Sequence, residues 1–566
     1  MNDRVRTVAL GNDPADLLLK NGRVVDVLTE TIYEADVAIA DGVIAGIGEY
    51  TEAKEIIDLK GAYIAPGLIN SHCHVESSMA APEVYCAEEL GWGTTTLITD
   101  PHEIANVAGA AGIRYMLQAG RHMPINYYVQ LPSCVPATPF EHAGCIMEAK
   151  DIAELMDLPG VLGLGEMMNV PGVLNNDPQI LQKIALFAEK GRVIDGHGPC
   201  LSGKALQAYA ASGIETDHES MSWEEAKEKL RAGINLPVRQ GSASRNLTAI
   251  IKGVLAEGID VSGLSFCTDD KHLAAIHSEG TIRNCVKMAV ELGMNPVRAL
   301  RIGSINAARI YGLKRLGAIA PGWQADIVVF NNLEDLQPLH VFHKGVDAIK
   351  AAAKVERAIP AAELRGSVRP ADVSEKVFTM EIDADKAYHV IDMLAGEIFT
   401  EHVVIQGSEV KKALADGTVH YIAVLERHHG TGNVGLGLIR GYGLQNGAVA
   451  TTVAHDSHNL IVLGSNPKDM SLAAQELVRV QGGYTLVKEG KVVKTLPLNI
   501  CGLMSSAEND DLNADLESIR RAAHNQGVPE GIDPFISLSF MALPVIPKLR
   551  ITDMGLFDAE RFCFIK

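Results

Sequence analysis

The chain has 566 residues, with 70 acidic against 50 basic side chains and a formal net charge of −20. That excess opposes binding to a phosphate backbone or an anionic membrane surface, and there is no basic, aromatic-rich patch, so a small neutral molecule is the expected partner. The length exceeds what one hydrophobic core can fill, no run is apolar for the ~18 residues a membrane span needs, and nine cysteines without a CxxC pair suit a reducing, cytoplasmic setting.

In chain order, residues 16–58 alternate apolar and polar positions in short runs broken by Asn-Gly and Asp-Gly, as in "LLLKNGRVVDV" and "VAIADGVIAGIG". These are hairpin signals and predict a small antiparallel sheet. The same texture returns over 317–350 in "GAIAPGWQADIVVF" and "VFHKGVDAIK". The two segments are expected to share one sheet, with everything between them inserted. That insertion carries eight apolar runs, each followed by a polar or glycine-rich tip and then helical periodicity: "AYIAPGLIN", "TTTLIT", "INYYVQL", "GVLGLG", "RVIDG", "GIETD", "INLPV" and "GLSFCT". Eight strands alternating with helices predict a (β/α)8 barrel. The expected layout is an α/β protein: a barrel over 66–316 inserted in a small β-sandwich formed by 1–65 and 317–375, then a separate α+β domain over 376–566 with a helix at 471–480.

In such a barrel the chemistry gathers at the C-terminal ends of the strands. Strand 1 ends in His72 and His74, strand 2 in Asp100, His102 and Glu103, strand 3 in Ser133 and strand 4 in Glu166. Strand 5 ends in His197, strand 6 in His218, strand 7 in Arg239 and Gln240, and strand 8 in Asp269 and Asp270. A lone histidine is more often a satisfied hydrogen-bonding residue than a ligand. Eight tips converging on one mouth are a different matter, because imidazoles and carboxylates together suit divalent first-row metals. Side chains at i and i+2 of an extended segment share a face, so His72 and His74 can grip one ion.

HxH after strand 1, an acidic group after strand 4, histidines after strands 5 and 6 and an aspartate after strand 8 resemble the amidohydrolase superfamily. The departure is Glu166 in "GLGEMMN", where many members carry a carboxylated lysine. With that departure, "PGLINSHCHVESSM", "TDPHEIANV", "LGLGEMMNVPGV", "DGHGP", "TDHES" and "FCTDD" look like the bacterial adenine deaminase family, and the likeness continues through "VAHDSHNLIVLG" and "SFMALPVIPKLRITDMGLFD". The resemblance implies hydrolysis of adenine to hypoxanthine and ammonia at two divalent ions, manganese or iron above all, with zinc possible.

On this reading His72, His74, Glu166, His197, His218 and Asp269 hold the metal pair, with Glu166 bridging. A metal-activated hydroxide would attack C6 of the purine, and Asp269 would carry its proton to the departing amine. Asp100, His102 or Glu103 would supply the acid that protonates N1, or an extra metal position. The alternative is that "DPHE" is only a turn and a helix start. Arg239, Gln240 and Ser242 are candidates for reading the purine edge, against a solvated loop. His428, His429, His455, Asp456 and His458 would line the mouth of the barrel from above, or else stabilise the C-terminal domain.

Rival signatures fail. "HVE" and "PC" are not followed by the second cysteine of a cytidine-deaminase site, and "HEIAN" lacks the second histidine of HExxH. A cyclic amidohydrolase would carry the strand-4 lysine. A deaminase of another nitrogen heterocycle stays open as the alternative, whereas a non-catalytic scaffold would have lost ligands that are all present here. A homo-oligomer is expected.

Overall fold

The computed structural model describes residues 3–242, 244–394, 399–507 and 509–565. Eight strands stand where the eight runs predict them: β1 Leu68–His74, β2 Thr94–Thr99, β3 Asn126–Leu131, β4 Val161–Met167, β5 Ile194–Gly196, β6 Thr216–Asp217, β7 Leu236–Arg239 and β8 Leu264–Cys267. From β1 to β6 they pair in parallel with their sequence neighbours. A parallel bridge between Thr216 and Asn235 leads to β7, which pairs with β8, and Asp269–Asp270 just past β8 pairs with Cys73 and His74 of β1. The sheet therefore closes on itself. β1 and β2 are buried along their whole length, as expected for strands covered on both faces.

The run read as one first strand divides in two. Tyr63–Pro66 pairs antiparallel with Ile327–Phe330 in the flanking sheet, and only from Leu68 does the chain enter the barrel. Gly67 makes the joint, because a Cβ there would lie 2.1 Å from Thr95 Oγ1. The flanking sheet combines strands from both sides of the barrel, with Ala15–Asp26 at its centre and Pro338–His343 toward one edge. This is the shared sheet the hairpin texture predicts.

The C-terminal region forms its own eight-stranded sheet, ordered from Thr400–Gln406 at one edge to Lys491–Pro497 at the other. The helix expected at 471–480 is longer, Pro467–Val480, because Asn466 accepts the Asp469 N–H as its N-cap and Pro467 opens the first turn. This region is docked on the barrel rather than standing apart. Ile500, Cys501, Leu503 and Met504 lie in the barrel's own hydrophobic core, and Ser505 exchanges backbone hydrogen bonds with Met79 and Ala81 at 2.7 and 3.1 Å. The C-terminal sheet thus sits over the loops that follow β1 and β2. Among the described residues no helix is long and apolar enough to cross a membrane.

Candidate metal centre

The alternation of β1 puts His72 and His74 on one face with their Nε2 atoms 3.2 Å apart. His74 Nδ1 donates to the Asp100 carbonyl at 2.8 Å, so its proton sits there and Nε2 keeps a lone pair. That lone pair faces Asp269 Oδ1 at 3.0 Å and Glu166 Oε1 at 3.5 Å. Imidazole and carboxylate donor atoms gathered around one point form a ligand set of the kind that suits a divalent cation.

Glu166 has a second face. Its Oε2 lies 2.8 Å from His197 Nδ1 and 3.2 Å from His218 Nε2. The His218 ring stacks on His72 with centroids 4.2 Å apart, and its Nε2 is buried without a hydrogen-bond partner. Asp100 Oδ1 and His102 Nδ1 are orphaned in the same way. Three trios, His72/His74/Glu166, His72/His218/Asp269 and Glu166/His197/His218, each bring their ligand atoms within 4.8 Å of one another. Burial favours the neutral acid at Glu166, yet the imidazoles of His197 and His218 hold its carboxyl well below the usual range. At Asp269 the same opposition is won by Arg239, with His72 and His74 helping. The donor set fits divalent cations, and Glu166 presents one oxygen to each group of imidazoles. In this centre His72, His74, Glu166, His218 and Asp269 are buried, and His197 is partly exposed.

The surrounding groups orient these side chains. Asp100 Oδ2 accepts the Glu166 N–H at 2.8 Å while its carbonyl holds His74. The close approach requires Gly165, where a Cβ would lie 2.2 Å from Asp100 Oδ2. Arg239 donates to Asp269 Oδ2 at 2.6 Å and to Glu219, so its guanidinium is committed to carboxylates rather than to an open edge. Asp269 itself has φ of +56°, a left-handed conformation costly for a side chain with a Cβ. Ser133 donates to the Glu166 carbonyl at 2.5 Å. Gln240 is buried, and Ser242 Oγ accepts the His272 N–H at 3.0 Å. His102 lies between carboxylates, with Nδ1 3.3 Å from Glu166 Oε1 and Nε2 3.4 Å from Glu103 Oε1.

The C-terminal histidines separate into two groups. His428 Nε2 donates to the Ser457 carbonyl at 2.8 Å and His429 Nε2 to the Ala143 carbonyl at 3.1 Å, so both brace loops. His455 and His458 meet Glu103 at the barrel mouth, where His455 Nδ1 lies 2.7 Å from Oε1 and His458 Nε2 contacts Oε2. Asp456 is buried beside them, and burial pushes its carboxyl up to about 6. This trio falls within metal-holding distances, but its tautomer argues otherwise. His458 Nδ1 accepts the Ala454 N–H at 3.1 Å, so the proton is on Nε2 and points at Glu103. A neutral ring in that state has no lone pair left for an ion. Two residues of this region escaped the sequence reading: Glu219, directly after His218, and Glu76, two residues after His74. Their only signal is adjacency to a ligand.

The amidohydrolase family model matches residues 63–347, and the model of the adenine deaminase C-terminal domain matches 397–563. An adenine deaminase of Desulfitobacterium hafniense is 42% identical, with the whole of both chains covered. The chain belongs to the adenine deaminase family. A relative named adenine deaminase in Dehalococcoides mccartyi is 44% identical over 99% of this chain and 98% of its own. Among solved structures, the fold is similar to atrazine chlorohydrolase of Arthrobacter aurescens, with TM-score 0.45, 16% identity and coverage of 59% of this chain and 96% of that one. Membership carries the metal dependence of the amidohydrolase superfamily with it.

Proposed function

We propose that this chain hydrolyses adenine to hypoxanthine and ammonia using two divalent ions, manganese foremost with iron or zinc as alternatives, held by His72, His74, Glu166, His197, His218 and Asp269. The observation that carries the reading is the two-faced Glu166, with His74 against one oxygen and His197 and His218 against the other, in a chain that matches adenine deaminases end to end. When bound, the ions supply the Lewis acidity that turns water into a nucleophile at neutral pH.

In the balanced reaction the water oxygen bonds to C6 and the C6–N6 bond breaks, while one water proton ends on the departing amine, which leaves as ammonia, and the other replenishes the acid that protonated N1, leaving a C6 carbonyl. Asp269 is the base. Its Oδ2 is pinned by Arg239 at 2.6 Å, which leaves Oδ1, beside His74, to take the water proton and hand it to the amine. His102, between Glu166 and Glu103, is the best-placed acid for N1, with Glu103 behind it. Asp100 is a positioning residue, because both its carboxylate and its carbonyl hold neighbours. The reading extends to a cytoplasmic homo-oligomer in purine salvage, and nine free cysteines are consistent with the reducing compartment.

The test is ammonia release by apo protein reloaded with manganese, iron or zinc, from adenine alongside adenosine, guanine, cytosine and dihydrouracil. Metal-dependent turnover of adenine is expected. Turnover of another heterocycle with adenine inert would keep the metal centre and discard the substrate.

A further inference from the structure

A cavity lies between the barrel mouth and the C-terminal sheet. Its floor includes Glu76 from the loop after β1, Glu103 after β2 and Asp270 after β8. Glu103 and Asp270 directly follow His102 and Asp269, so the cavity opens beside the metal centre. Its roof comes from the C-terminal region and includes His455, Tyr484 and Phe540.

Two features of this cavity point to a ligand. The Glu76 side chain is 4% exposed, and its Oε1 accepts the Ile104 N–H at 3.1 Å, while Oε2 is buried with no hydrogen-bond partner. A buried carboxylate oxygen left unpaired is costly, and a bound N–H donor would remove the cost. In the same lining the His455 ring stacks on Phe540 with centroids 5.1 Å apart and planes 20° apart, and Glu103 Oε1 holds His455 Nδ1 at 2.7 Å. A flat aromatic pair and an unpaired buried acceptor lining one cavity suit a planar heterocycle with one ring N–H.

Resting on the adenine reading above, we propose that Glu76 accepts the ring N–H of the free base in this cavity while the His455–Phe540 pair covers its face. Adenine has a single ring N–H, on its five-membered ring, and adenosine, glycosylated there, has none. Glu76 is thus a specificity residue that selects the base over its glycosylated form, and the C-terminal region is part of the active site rather than an appendage. The penalty against a ligand without the N–H arises because Glu76 Oε2 then stays buried and unpaired.

The experiment compares adenine with 9-methyladenine, which keeps the reacting carbon and lacks the N–H, on manganese-loaded wild type, Glu76→Gln and Glu76→Ala. 9-Methyladenine is read as substrate or as competitive inhibitor. In Glu76→Ala, kcat/KM for adenine should fall about 10- to 100-fold, the usual worth of a hydrogen bond to a charged group. The constant for 9-methyladenine should move less than about threefold, and metal content should stay that of wild type. Glu76→Gln, which keeps an acceptor, should recover part of the loss. Phe540→Leu should raise KM for both compounds with kcat little changed. Equal losses on both compounds in the Glu76 variants, or loss of metal, would overturn the inference alone. A metal-loaded wild type inert toward adenine would overturn the functional reading and this inference with it.

Discussion

At the residue scale the centre is governed by where protons sit. His74 and His458 are both buried histidines at the mouth, yet a carbonyl at Nδ1 of the first and an amide at Nδ1 of the second leave them in opposite tautomers. The first turns Nε2 toward Asp269 and Glu166, and the second offers a proton to Glu103. Arg239 acts through the same logic of charge: it is the main group opposing the burial that would drive Asp269 toward the neutral acid, and at Glu219 it does so after His197. Arg239→Met should therefore strand two carboxylates. Stability should fall by about 3 kcal/mol or more, and activity by about 10- to 100-fold. Urea unfolding and steady-state kinetics on the metal-loaded variant test this, and wild-type values in both would refute the assigned role.

At the element scale each ligand owes its position to a strand end and the loop that follows. β4 presents Glu166 because Asp100, at the end of β2, accepts its amide, and that contact exists only while position 165 has no side chain. Gly165→Ala is expected to push the Asp100 carboxylate away, tilt Glu166 and loosen both imidazole pairs. Activity should drop at least ~10-fold, since displacements near 1 Å at a reacting centre can cost more than that. Metal retained per chain after dialysis should fall in parallel. Full activity and full metal content in this variant would mean that the β2–β4 contact does not set the bridge.

At the scale of the whole molecule the C-terminal region and the barrel share a core. Ile500, Leu503 and Met504 are buried among barrel residues although they follow the last strand of the C-terminal sheet. Ile500→Ala should thus cost about 2–5 kcal/mol and destabilise the barrel itself. The three tryptophans, Trp92, Trp223 and Trp323, all lie in the barrel and its flanking sheet, so their fluorescence reports that part alone. The expected outcome is a tryptophan-detected urea midpoint that shifts down in the variant. An unchanged midpoint would show two independently folding parts.

Much of this architecture is legible in the chain. The eight strand runs, the shared flanking sheet and the convergence of His72, His74, Glu166, His197, His218 and Asp269 follow from local periodicity and from the rule that parallel barrels present their strand ends at one mouth. The division of the first run at Gly67 was not legible, because nothing local distinguishes a strand that changes sheets from one that continues. Nor was the pairing of Arg239 with carboxylates, which depends on Glu219 and Asp269 arriving from two other strands. Glu76 and the split of the C-terminal histidines are of the same kind: their partners are Ile104, Glu103, Phe540, Ser457 and Ala143, most of them tens to hundreds of residues away. Sequence alone determined which chemical groups stand at the strand ends, since that is set by hydrophobic period and spacing. Only the tertiary structure decided which lone pairs face a cation, which face a proton and which are left open to a ligand, because hydrogen-bond partners and burial are properties of the packed chain.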